Sequence, residues 1–278
     1  MVASRVTIYH QLPANHCMPA ISLIIGVWNR ARYVGNAIKS VLNQTRTDFE
    51  LIVCDDGSTD ESLKIAREAA SSDKRVRVFA GQNQGLPNLI NNAVKLTSGQ
   101  YFGWIDSDDL LHENALRETA AILDARPEVG LVYTDYQTID ENATVQGVGS
   151  RCRIPYSKDR LLIDFMTFHF RLMRRELFDR VGGLDDSVRF AEDYDLCLKL
   201  SEITEFHHVP KPLYYYRVHR TSISRQHSLA QIDAAARAIR AALVRRGMDQ
   251  THELNVKYSA SFQLSKKNPE KAPGRDSA

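Results

Sequence analysis

The chain has 278 residues, of which 43% are hydrophobic and 25% charged, a composition that is typical of a globular protein and excludes collagen-like or disordered chains. Its 36 basic and 34 acidic residues nearly balance, which argues against a surface devoted to nucleic acid. The longest apolar stretch, 21–28, is far shorter than the ~20 residues that a membrane-spanning helix needs.

Strand-like and helix-like segments alternate along the chain. Short β-branched runs predict strands, and apolar residues spaced three or four apart predict helices. The predicted strands are 21–27, 51–54, 76–79, 101–105 and 129–133, and the predicted helices are 34–42, 63–70, 86–96, 113–123, 192–200 and 229–243. Ser58-Thr59-Asp60-Glu61 predicts a capping box before the second helix, and Gly147–Gly149 a flexible loop. The alternation indicates a doubly wound α/β domain, whose ligands bind at the carboxyl ends of the strands.

The C-terminal part of the chain is basic. From Arg217 onward there are 12 basic and 5 acidic residues. The helix at 229–243 is amphipathic, and two interpretations stay open: packing on the body with a solvated basic face, or docking on an anionic membrane surface or a partner. Residues 265–278 have the composition of a disordered tail.

Two features indicate the cellular compartment. No apolar N-terminal segment has the pattern of a secretory signal. The cysteines have neither the spacing of zinc ligands nor that of a disulfide framework. We therefore expect a cytoplasmic protein with reduced thiols, associated at most with the cytoplasmic face of a membrane.

Acidic clusters follow two of the predicted strands. Asp55 and Asp56 come after the strand at 51–54; they suit a turn, or a hydrogen bond to a nucleobase or ribose. Asp106, Asp108 and Asp109 come after the strand at 101–105, and three carboxylates so close together repel one another unless a cation binds. Mg²⁺ and Mn²⁺ prefer such oxygen ligands, although a helix N-terminus also favours negative charge.

Two later segments carry further polar groups. Glu192 and Asp193 begin a predicted helix, where a carboxylate serves either as a solvated cap or as a general base. Arg217, His219 and Ser222 follow three consecutive tyrosines, and their donors suit the oxygens of a diphosphate. A strand end with aromatic packing is the structural alternative.

In this order and spacing, these segments resemble the inverting glycosyltransferases of family 2, which have the GT-A fold. The resemblance covers about 19–224 and rests on seven segments: Ser22–Asn29, Asp55–Ser58, Gly85–Leu86, Asp106–Asp109, Gly182–Asp185, Glu192–Asp193 and Tyr216–His219. It implies a Rossmann-like mixed sheet flanked by helices and followed by a helical extension. The implied domain is 19–225, with a nucleotide-sugar-binding half at 19–110, an acceptor and catalytic half at 111–225 and a basic amphipathic extension at 226–264.

The resemblance also implies an activity and its residues. The activity is transfer of a sugar from a nucleotide-diphosphate sugar, usually UDP-linked, to the hydroxyl of a saccharide or lipid-linked acceptor in glycan or surface-polysaccharide assembly. Asp193, with Glu192, is the implied general base. Asp106-Ser107-Asp108 is the implied D-x-D element, so that Mn²⁺ or Mg²⁺ binds Asp108, Asp106 and His219. The implied donor site consists of Val27, Asn29, Asp55 or Asp56, Asp106, Arg217 and Ser222.

One position departs from the family pattern. Ile90 stands where many members carry an arginine, so the expected phosphate contact shifts to Arg217 or Arg220. Acceptor contacts are expected from 168–170 and 147–156. Two alternatives remain: a nucleotidyltransferase, although the glycine-rich loop after the first strand is absent, and a non-catalytic nucleotide-sugar-binding protein, against which the intact Asp193 argues.

Overall fold

The computed structural model describes residues 19–219 and 228–257. Ser222 and Arg220 lie outside the described residues, as do the tail at 265–278 and the ends of the predicted extension. The division into halves and extension stays a prediction.

The described residues form nine strands and seven helices. The strands are β1 Ile21–Val27, β2 Phe49–Asp55, β3 Val76–Ala80, β4 Tyr101–Asp106, β5 Leu110–Leu111, β6 Val129–Ile139, β7 Val145–Val148, β8 Arg171–Arg174 and β9 Glu205–Arg217. The helices are α1 Val34–Leu42, α2 Ser62–Ala70, α3 Leu86–Val94, α4 Ala115–Ala125, α5 Arg175–Arg180, α6 Glu192–Ser201 and α7 Ser228–Arg245.

The strands form one mixed sheet in the order β3-β2-β1-β4-β8-β6-β9-β5, with β7 paired to β6. β3, β2, β1 and β4 run parallel, as their helical connections require. β8 lies antiparallel between β4 and β6, and β9 runs parallel to β6. The predicted mixed α/β sheet flanked by helices is confirmed.

Apolar residues cover both faces of the sheet. One face packs against α1, α2 and α4 through residues such as Ile38, Ala66 and Leu116. The other packs against α3, α6 and α7 through residues such as Ile90 and Leu198. Because both faces are covered, open polar surface for a ligand remains at the ends of the strands.

The C-terminal helix packs on the body. Ala234, Ala238 and Ala242 are buried on its inner face, and Arg245 donates to Glu202 of the loop after α6. Leu229 is exposed, and contact with a membrane or partner stays a prediction. Among the described helices, none is both long enough and apolar enough to span a bilayer.

Two local predictions are wrong. The capping box does not form, because α2 begins at Ser62 and Ser58 instead accepts a hydrogen bond from the backbone N–H of Asn29 at 3.0 Å. This contact joins the loops after β1 and β2. The predicted loop at Gly147–Gly149 is partly a strand, since β7 pairs with the end of β6.

Candidate functional site

The carboxyl ends of β1, β2 and β4 lie side by side. Val27 at the end of β1 pairs with Asp55, and Gly26 pairs with Asp106 at the end of β4. This register brings the first two acidic clusters of the sequence to one edge of the sheet. Such an edge is where open α/β sheets bind ligands.

The two aspartates after β2 have different surroundings. Asp56 accepts hydrogen bonds from the backbone N–H groups of Gln84 at 2.9 Å and Gly85 at 3.0 Å, so it fixes the loop before α3. Asp55 accepts from the backbone of Ser58 through Oδ2, whereas its buried Oδ1 has no hydrogen-bond partner among the described residues. Buried polar atoms are normally paired. Asp55 is therefore the better candidate for a ligand contact.

The predicted donor residues at the end of β1 are engaged with the protein. The carbonyl of Val27 accepts a hydrogen bond from the backbone of Asp56 at 2.7 Å. Asn29 has a left-handed backbone with φ of 52°, and its Oδ1 accepts from the backbone of Thr59 at 2.9 Å. Nucleotide contacts from these residues stay predictions.

Asp108 lies between the guanidinium of Arg30 and the imidazole of His219. Its Oδ2 accepts from Nε of Arg30 and is paired with Nε2 of His219, each at 2.9 Å. Burial favours the protonated form, but the His219 hydrogen bond and the Arg30 charge outweigh it and lower the pKa of Asp108. The structure thus brings Asp108 and His219 together as predicted, and adds Arg30.

Asp106 lies near the other acidic groups. Burial and the charges of Asp108 and Asp193 raise the pKa of Asp106, which means that removing a proton from it is unfavourable without a counter-charge. His169 lies 3.7 Å away, from its Nε2 to Oδ2 of Asp106. Burial and the nearby arginines hold the pKa of His169 well below its usual range, so this imidazole supplies no positive charge.

Asp109, the third carboxylate of the cluster, is structural. It is buried and accepts hydrogen bonds from the backbone of Arg217 at 2.7 Å and the hydroxyl of Tyr214 at 2.8 Å. The guanidinium of Arg217 donates in turn to the carbonyls of Asp108 at 2.6 Å and Asp140 at 2.8 Å. Arg217 therefore joins the end of β9 to two loops, those after β4 and β6, and a diphosphate contact from it stays a prediction.

The Glu192-Asp193 pair forms the first turn of α6. Nη2 of Arg171 lies 3.1 Å from Oδ2 of Asp193, and the Arg171 side chain is itself buried, with its guanidinium carbon 5.1 Å from the ring centroid of Trp104. Arg171 holds Asp193 in one orientation. Glu192 is also buried, and its Oε2 has no hydrogen-bond partner in the described part of the chain.

Two residues of this site, Arg30 and Arg171, are absent from the sequence prediction. His169 belongs to the segment 168–170 that is expected at the acceptor, but its position beside Asp106 is not predicted. Arg30 directly follows the Ser22–Asn29 motif but is not part of it, and its sequence position gives no indication of a role in the site. Arg171 belongs to a run of basic and apolar residues that is typical of a surface strand. Only the packed structure shows that it is buried against Asp193.

We expect Glu192 to make stability fall as pH rises. Burial and the Asp193 charge raise the pKa of Glu192 from 4.5 to about 7. Between these values the unfolded chain loses the proton that the folded chain retains, so unfolding is favoured. Glu192→Gln cannot ionise and should unfold on the order of 5 °C above the wild type at pH 8, the equivalent of ~3 kcal/mol.

At about pH 3 the two proteins should melt together, because Glu192 is then protonated in both the folded and the unfolded chain. Glu176→Gln is the matched control, since Glu176 is exposed on α5. Melting curves that differ equally at both pH values would contradict the assignment.

The donor set of the acidic edge fits a divalent ion. Asp106 and Asp108 offer carboxylate oxygens and His219 an imidazole, which are ligands for Mn²⁺ and Mg²⁺. Residues 19–219 and 228–257 contain no ready-made cluster of three or more metal-ligating side chains. Mg²⁺ in particular commonly binds through one or two carboxylates and completes its shell with water and substrate phosphates.

Comparison with known proteins identifies the family. Residues 22–182 match the model of glycosyl transferase family 2. The chondroitin synthase of Escherichia coli is 35% identical over 209 residues, which cover 74% of this chain and 30% of that protein. The hyaluronan synthase of Pasteurella multocida is 30% identical, covering 74% of this chain and 21% of that protein. The chain thus spans less than a third of the length of these two relatives.

An uncharacterized glycosyltransferase of Rickettsia typhi, RT0329, is closer in length. It is 31% identical over 214 residues, which cover 74% of this chain and 66% of that protein.

Solved structures share the fold. TarS of S. aureus in complex with UDP-GlcNAc superimposes with a TM-score of 0.65 at 20% identity, over 81% of this chain and 66% of that one. A mannosyltransferase from Pyrobaculum calidifontis, in complex with GDP-Man and Mn²⁺, gives 0.59 at 17% identity, over 86% and 77%. The predicted GT-A fold is confirmed. Because the family model also matches more than half of the residues, the chain belongs to glycosyltransferase family 2.

Proposed function

We propose that the protein is a metal-dependent, inverting glycosyltransferase that moves a sugar from a UDP-linked donor to a hydroxyl acceptor. One observation carries the proposal: Asp106 lies close enough to Asp108 and Asp193 at one sheet edge for their charges to raise its pKa, and His219 is bonded to Asp108. A metal, a donor and an acceptor hydroxyl would meet at that edge. Family membership and the UDP-GlcNAc bound to TarS support this proposal.

Asp193 is the proposed general base. An acceptor hydroxyl must lose its proton as it attacks, and a positioned carboxylate takes that proton. One oxygen of Asp193 is paired with Arg171 and the other with the backbone of Tyr194, so the carboxylate is oriented while lone pairs remain on both oxygens. A single in-line displacement inverts the anomeric carbon, so no protein nucleophile is needed.

The leaving diphosphate is the proposed partner of the metal. Asp108, Asp106 and His219 would hold Mn²⁺ or Mg²⁺, and the ion when bound would stabilise the charge of the leaving group. Arg30 holds Asp108 in place through the bond described above. The Mn²⁺ in the mannosyltransferase complex supports the choice of ion.

The acceptor is proposed to be a saccharide, free or lipid-linked, in polysaccharide assembly. The ring of Phe168 lies 5.2 Å from Tyr216 and 4.4 Å from His169, which is beside Asp106. The guanidinium of Arg151 lies 4.6 Å from the same ring. Aromatic rings offer apolar faces to a sugar, and the chondroitin and hyaluronan synthases among the relatives support a polysaccharide product.

UDP binding through Asp55 tests the proposal. UDP with Mn²⁺ at ~100 times its dissociation constant should stabilise the wild type by about 2.7 kcal/mol, or several degrees. Asp55→Asn keeps an oxygen for the Ser58 bond but turns an amide towards the nucleobase. Loss of a hydrogen bond to a charged group should weaken UDP about 10- to 100-fold.

Glu61→Gln is the matched control, because Glu61 is exposed nearby and its side chain is paired with exposed Lys64. A wild type that no nucleotide stabilises with either metal would overturn the proposed function. If another nucleotide stabilises it and UDP does not, the proposed base is wrong.

A further inference from the structure

Arg189 lies between the catalytic helix and the donor edge of the sheet. It belongs to the turn directly before α6, and a methyl group placed on Gly85 would lie 3.6 Å from its guanidinium carbon. Gly85 is the residue before α3 whose backbone N–H is bonded to Asp56. The guanidinium is therefore beside the loop that the strand-end aspartate fixes.

The other arginines that the structure describes at this edge are bonded to protein atoms. Arg30 is paired with Asp108, Arg171 with Asp193, and Arg217 with backbone carbonyls. The Arg189 side chain is exposed, and within 19–219 and 228–257 its guanidinium makes no hydrogen bond or ion pair; its carbon lies 5.6 Å from the ring centroid of Phe190. Its planar set of donors is open to a ligand.

The backbone next to Arg189 is strained. Phe190 has a φ of 77°, a left-handed conformation that is an outlier for a bulky side chain. Such residues cost of order 1–3 kcal/mol and cluster at ligand-binding sites. The turn at Phe190 leads within three residues to Glu192 and Asp193, so it fixes Arg189 relative to the proposed general base.

Arg189 and the N-terminus of α3 favour an anionic ligand at this part of the edge. The first turn of α3 contains no acidic residue, and helix N-termini favour anions. Oδ1 of buried Asp55, which has no hydrogen-bond partner among the described residues, is the proposed contact for the nucleobase at the same edge. Ile90 of α3 stands where the family pattern has an arginine. Its side chain is fully buried in the core, so this position supplies no cation.

We propose that Arg189 binds the diphosphate of the nucleotide sugar and supplies, from the turn before α6, the cation that the chain lacks at position 90. The inference rests on the proposed function and adds a donor-binding residue to it. The guanidinium fork matches phosphate oxygens in two parallel hydrogen bonds. A bound donor would thus contact the same segment that carries Asp193.

Calorimetric titration with UDP and with uridine tests this role. Arg189→Gln should weaken UDP about 10- to 100-fold, the loss expected for hydrogen bonds to a charged group, and leave uridine binding unchanged. Arg189→Lys keeps the charge without the fork and should lie in between. Arg67→Gln removes the same charge from an exposed site on α2 and should behave as the wild type.

Each other outcome is decisive. If Arg189→Gln binds UDP as tightly as Arg67→Gln does, the inference is wrong. If UDP is unaffected but a UDP-sugar is weakened, Arg189 contacts the sugar and the diphosphate assignment fails. If uridine is weakened as much as UDP, the residue has a general structural role. A wild type that binds neither UDP nor uridine contradicts the proposed function itself.

Discussion

Asp193→Asn is expected to lower turnover by about 10²- to 10⁴-fold, the contribution of a positioned general base. Asparagine fills the same space and can still accept from Arg171, but it cannot take a proton from the acceptor hydroxyl. UDP should bind as in the wild type, because no donor contact is removed. Initial rates of sugar transfer and UDP titration, on the same preparations, measure the two effects separately.

Asp186→Asn is the matched control for this variant. Asp186 is exposed a few residues before α6, so the substitution removes the same charge without touching the proposed machinery. It should transfer sugar at the wild-type rate. An Asp193→Asn enzyme that retains full turnover would exclude Asp193 as the base, and one that loses UDP binding as well would point to collapse of the turn before α6.

The second large effect is expected from Asp108→Asn. The wild type should bind UDP more tightly with Mn²⁺ than without it, and the variant should show no such difference, because a neutral amide is a poor ligand for a hard dication. Turnover should fall on the order of 10³-fold as the charge stabilisation of the leaving group is lost. Titration of UDP with and without Mn²⁺ measures the first effect.

Asp109→Asn is the informative comparison, since it is the neighbouring carboxylate. Asp109 accepts from Arg217 and Tyr214 inside the protein. Its substitution should lower the melting temperature while the protein that remains folded keeps its response to Mn²⁺. If instead Asp109→Asn loses the response to Mn²⁺ and Asp108→Asn only lowers the melting temperature, Asp109 binds the metal and Asp108 is structural.

The sequence predicts the first half of the sheet well because its signals are local. β1 has the predicted bounds, since seven apolar or small residues in a row fit a strand buried on both faces. The aspartates at the ends of β2 and β4 follow from those strands, because parallel neighbours end at the same edge. The family, the fold and the carboxylates at the strand ends can therefore all be predicted from the sequence.

Most of β9 is not predicted because its sequence argues against a strand, and only its end at the three tyrosines is considered as one. It contains Pro210 and Pro212, which lack the N–H that a sheet ladder uses. The structure accommodates Pro212 at a register shift against Asp135 of β6. This segment is a strand because it pairs with β6 over most of its length. Nothing in the local sequence indicates that pairing.

The different roles of adjacent residues were equally inaccessible. Asp108 and Asp109 have the same chemistry, and only the burial of Asp109 against Tyr214 separates them. Arg217 was expected at the diphosphate, but its donors are directed to backbone carbonyls. Such assignments depend on which side of a turn each side chain faces, which residue type alone does not determine.

The bonds between Asp109 and Arg217 have a consequence for the order of folding. These residues are 108 positions apart, and the Arg217 side chain also closes on Asp108. Contacts of such high sequence separation form slowly, because a long loop must close before they are gained. During synthesis, the acidic loop after β4 emerges early and can meet Arg30, but it gains its bonds to Arg217 only when β9 has left the ribosome. A truncated chain ending at residue 182, where the family match ends, would therefore lack the strand that fixes this loop.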